Sequence, residues 1–227
     1  MSERVYTCLV NRKNTMTTRE FSKSILLSPK TITADNITAF TGGDKAKLKE
    51  VLLGMTSFLS NCGMYGFDLR ANATYFMSHF VDHFVLWMSP DTEEMLNLCV
   101  DVANFYNRVR YIPIREIGDY FPVVIDLDSD EGEIEERIDE LVLAYIESNK
   151  ARRGYVINLE GDNEPEEGLI KVLTVVKKIV GSYNIPQVLM SGIQIMSDYY
   201  IDKIKKGDCD IYRTAIDIEE ILACLAI

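Results

Sequence analysis

The hydrophobic positions of this chain keep a helical rhythm in the first half and a mixed one in the second. In "GGDKAKLKEVLLGMTSFLSNCG" (42–63), Leu48, Val51, Leu52, Met55, Phe58 and Leu59 recur at three- and four-residue spacing between flanking glycines, which predicts a firm helix. A second helix is predicted from about Ala71 to Met88. On its wheel Phe76, Phe80, Phe84, Trp87 and Met88 form the buried arc, Asp82 lies opposite, and His79 and His83 flank the arc. "SPDTEE" then predicts a stop and a new start: Ser89 caps, Pro90 takes the first helical position, and Glu93 and Glu94 suit the positive end. Leu96, Val100, Ala103 and Phe105 carry this third helix to about Val109. Nearer the N-terminus, "VYTCLV" (5–10) reads as a strand and "TTREFSKSILLS" as a short helix ending before Pro29.

After "RYIPIREIG" the pattern changes. "PVVIDLD" is a short β-branched run followed by the helical "DEGEIEERIDELVLAYIESN"; "YVINLEG" and "EPEEGLIKVLTVVKKIV" repeat strand and helix, and "PQVLMS" supplies a third strand. The expectation is an α/β fold: a parallel or mixed sheet from a βαβαβ core over about residues 111–192, with right-handed crossovers. A mainly helical region, 1–110, precedes it, and C-terminal helices close the acidic α/β region 111–227, the two forming either separate regions or one compact domain. The two β-α units match at a shift of 32 residues, with Val124/Val156, Ile125/Ile157, Leu127/Leu159, Ile138/Ile170 and Leu141/Leu173 identical and Asp126/Asn158 similar. Shared burial accounts for such matches as well as duplication does. "SGIQIMSDYYIDKIKKGDCD" is expected to be helical to Gly207, and "IYRTAIDIEEILACLAI" forms a last helix with an apolar end. Leu222, Leu225 and Ile227 either dock on the protein's own core or fill a neighbouring subunit's groove, since a terminus left in water is normally polar.

Charge sharpens the division. Residues 1–122 carry 13 basic and 13 acidic side chains, whereas residues 123–227 carry 11 and 22, so the whole formal net charge of -11 lies in the second half. A field of that sign repels phosphate backbones and anionic membranes unless a local basic patch overcomes it. The five cysteines are odd in number and never form CxxC, which reads as reduced core thiols in a cytoplasmic compartment. "MSERVYTCLV" predicts no signal peptide, and no apolar run reaches the ~18 residues of a membrane span.

Three constellations carry candidate chemistry. His79 and His83 stand four apart in "SHFVDHF", on one helical face, where they could share a metal ion; HxxDH resembles the HxxEH of inverted zinc proteases, with the shorter Asp in place of Glu. Boundary histidines beside a carboxylate are the simpler reading. Asp126 and Asp128, with Glu160 and Asp162 of the second unit, would gather at the carboxyl ends of parallel strands, where Mg²⁺ is held for phosphoryl chemistry. The segment resembles an EF-hand loop, with Gly132 one residue late and Arg137 at the twelfth position, and the DxDxT strand of haloacid-dehalogenase-like phosphatases, with Asp130 where a hydroxyl residue belongs. Asp130 followed by Glu133 is also a capping box, and so acidic a helix start repels phosphate. Arg108, Arg110, Arg152 and Arg153, each near a tyrosine, would suit single-stranded nucleic acid if brought together, or simply balance the acidic half.

No GxSxG, GxGxxG or P-loop occurs. The sequence therefore leans toward a non-enzymatic assembly or protein-interaction subunit that associates with itself or with other proteins, without a membrane and with no cofactor beyond the Mg²⁺ its acids invite. The rival classes are a Mg²⁺-dependent enzyme acting on phosphate esters through Asp126, Asp128 and Glu160, and a nucleic-acid-coating protein of the viral nucleoprotein kind.

Overall fold

Helix starts in this protein are set by side chains that satisfy the first free backbone amides. In α1 (Thr18–Leu26), the Glu20 amide donates to Thr17 Oγ1 at 3.2 Å while the Thr17 amide donates to Glu20 Oε2 at 2.9 Å. After α2 (Ala34–Thr41), Gly42 takes a φ of 69° and releases the chain into α3 (Lys45–Gly63). Asp68 caps α4 (Leu69–Trp87) by accepting from the Ala71 amide at 2.7 Å. The cap of α5 (Thr92–Val109) is Asp91, which forms a reciprocal box with Glu94, and not Ser89 as expected. Ser89 stands at a φ of 51° instead, where it reverses the chain between α4 and α5 ahead of Pro90.

The structure, a computed structural model, describes residues 16–63, 68–112, 123–148, 156–160 and 164–227. The expected strand at 5–10 lies outside them. Among the described residues 75% are helical, in nine α-helices, and the sheet has two strands. This overturns the α/β class with its βαβαβ core over 111–192: the protein is mainly helical. One βαβ unit remains, in which β1 (Ile125–Asp126) leads through α6 (Glu131–Ser148) to β2 (Ile157–Asn158). The strands are parallel, with Ile125 opposite Ile157 and Asp126 opposite Asn158, so the pairing register is the 32-residue shift seen in the sequence. Then follow α7 (Pro165–Ile179), a 3₁₀ turn at Val180–Ser182, α8 (Gln187–Lys205) and α9 (Ile211–Cys224).

The expected third strand, "PQVLMS", is the first turn of α8. Its apolar residues continue at helical spacing, and Val188, Leu189, Ile193, Met196 and Tyr200 are all buried. A short apolar run has no period of its own, so the longer frame in which it sits decides its conformation.

What stands beside β2 in place of a third strand is a carboxylate. Glu219 of α9 is 6% exposed, and its Oε1 accepts from the amides of Val156 at 2.9 Å and Ile157 at 3.3 Å. Backbone amides buried without partners are costly, and a strand edge of two residues offers too few ladder bonds to hold itself. The apolar core runs without a break from Phe21 of α1 to Leu222 of α9. Replacing Glu219 with Ala strands both amides and should lower unfolding free energy in urea by about 3 kcal/mol. Glu219→Gln keeps a carbonyl acceptor and should cost about half as much.

Candidate functional site

Of the expected strand-end carboxylates, Asp126 is engaged by a local bond. Asp126 Oδ1 accepts from Asn158 Nδ2 at 2.8 Å across the two strands, and the Glu160 amide donates to Asn158 Oδ1 at 3.0 Å. Asp130 and Glu133 form the capping box of α6, the amide of each donating to the side chain of the other at 3.2 and 3.0 Å. Asp128 is exposed, and Asp162 lies outside the described residues. A cation does sit at this end of the sheet, but it is tethered: Lys171 Nζ of α7 donates to the carbonyls of Leu127 at 3.3 Å and Ser129 at 2.8 Å. Among the described residues no three His, Cys, Asp or Glu side chains converge to hold a metal ion.

The two histidines of α4 turn to different neighbours. The His79 ring lies 4.3 Å from the Tyr75 ring on its own helix, while the His83 ring lies 4.3 Å from Tyr199 on α8. Around His79 the structure gathers groups that the sequence did not single out. Asp217 and Arg213 of α9 act on it electrostatically, as does Asp82. Tyr200 of α8 donates to Asp217 Oδ2 at 3.0 Å, and Arg213 Nε lies 3.2 Å from the buried Asp217 Oδ1 without hydrogen-bond alignment. Burial lowers His79, with Arg213 adding to the shift against Asp217 and Asp82. Burial also lowers His83, helped by Lys203, and pushes the Asp82 and Asp217 carboxyls up. The result is a polar seam among α4, α8 and α9. A signal for it existed in "IYRTAIDIEEILACLAI", where Asp217, Glu219 and Glu220 interrupt an apolar helix at positions that turn inward.

Arg110 closes a helix end. Its Nη1 and Nη2 donate to the carbonyls of Leu26 at 3.4 Å and Ser28 at 3.1 Å, where α1 terminates. Arg108 is exposed on the last turn of α5, and Arg152 and Arg153 lie outside the described residues, so no convergence of the four arginines is seen among the described residues. At the C-terminus Leu222 and Leu225 are buried in the protein's own core and Ile227 is partly buried against it.

The predicted arc of α4 ends early. Phe76 and Phe80 are buried and Phe84 partly so, but Trp87 is 76% exposed and Met88 46%, and Leu86 before them is 52% exposed. A helical wheel gives direction around an axis and says nothing of how far the covering helices extend along it. The link to α5 leaves α4 at this point, at Ser89. Among the described residues, no helix is long and apolar enough to cross a membrane.

The histidines set a pH dependence. Both have native pKa values below the ordinary 6.5, so the native state binds fewer protons than the unfolded chain just under that pH. Their contribution to stability is complete above about pH 6.5 and is lost as pH falls from there toward the lowered native values. Asp82 and Asp217 act in the opposite sense at lower pH, because the native state holds their protons more tightly. Urea unfolding followed from about pH 8 to about pH 5 should show stability falling on acidification, with a shallower fall in His79→Gln and His83→Gln.

In comparison with known proteins, no family model, no curated protein and no solved structure matches this chain.

Proposed function

We propose that this chain is a non-enzymatic protein-interaction subunit that assembles with copies of itself. The observation that carries the reading is the exposure of three consecutive large apolar residues, Leu86, Trp87 and Met88, at the C-terminal end of α4. Trp87 is the chain's single tryptophan, and it stands mostly in water although most of its helix is buried. Large apolar side chains left in water at one helix end suit a contact surface, and Trp is among the residues that dominate protein–protein contacts. Covering side chains of this size contributes about 1.5–3 kcal/mol each.

The two rival chemistries draw less support. Asp126 and Asp130 are held by Asn158 and by the α6 cap, and Lys171 is tethered to the carbonyls of Leu127 and Ser129. Of the two candidate arginines that lie within the described residues, Arg108 and Arg110, the second is committed to the end of α1. Sedimentation and light scattering across the micromolar range should give the parent a mass that is a multiple of 25.9 kDa and rises with concentration. Trp87→Glu should return it to 25.9 kDa with its helical circular dichroism unchanged. A parent that stays at 25.9 kDa at every concentration refutes the reading.

A further inference from the structure

We draw no further inference here: the strongest candidate, the side-chain cluster of His79, Asp82, Tyr200, Arg213 and Asp217 among α4, α8 and α9, belongs to the polar seam already described and carries only the acid dependence of stability derived from it.

Discussion

The fold depends on the burial of α4. Phe76, Met77, Phe80, Val81 and Val85 are each 3% exposed or less, and α3, α5, α8 and α9 all pack around this one helix. Close approach is part of how it is covered. Gly192 of α8 sits so near the ring of Phe80 that an added Cβ would come within 3.1 Å of it. A helix enclosed on so many sides has no wide polar face, so its polar residues must be accommodated within contacts. His79 and Asp82 therefore meet Asp217, Arg213 and Thr56 in place of water, and the seam among α4, α8 and α9 follows from that enclosure.

The same need to satisfy buried polar groups explains why the α/β pattern stops where it does. Two parallel strands of two residues supply few ladder bonds, and the amides on the far side of β2 are met by Glu219 instead of another strand. Once a side chain has closed that edge, "PQVLMS" has no place in a sheet and continues the helix that follows it. The 32-residue match between the two β-α units survives as the register of their pairing, and the difference at its paired polar position is useful. Asn158 opposite Asp126 can donate a hydrogen bond where a second aspartate would repel.

Much of the charged chemistry that attracts notice in the sequence is absorbed by helix ends. Asp130 and Glu133 start α6, Asp91 and Glu94 start α5, Arg110 finishes α1, and Lys171 binds the carbonyls beyond β1. Each satisfies backbone groups that a helix or strand leaves open at its terminus.

The sequence by itself determined where most helices lie, since a stripe of apolar residues at helical spacing and a capping side chain are local properties. Residues 45–63, 69–87, 131–148, 165–179 and 211–224 were legible on that basis, as was the capping role of Asp130. It determined the balance of charge between the halves as well. Tertiary structure decided what depends on neighbours. It made a short apolar run the start of a helix, carried Asp217 and Arg213 to His79, set Glu219 against β2, and left Trp87 uncovered at the end of a stripe that continued past its partners. A periodic pattern specifies the direction in which a side chain points; only the packed molecule specifies whether anything is there to meet it.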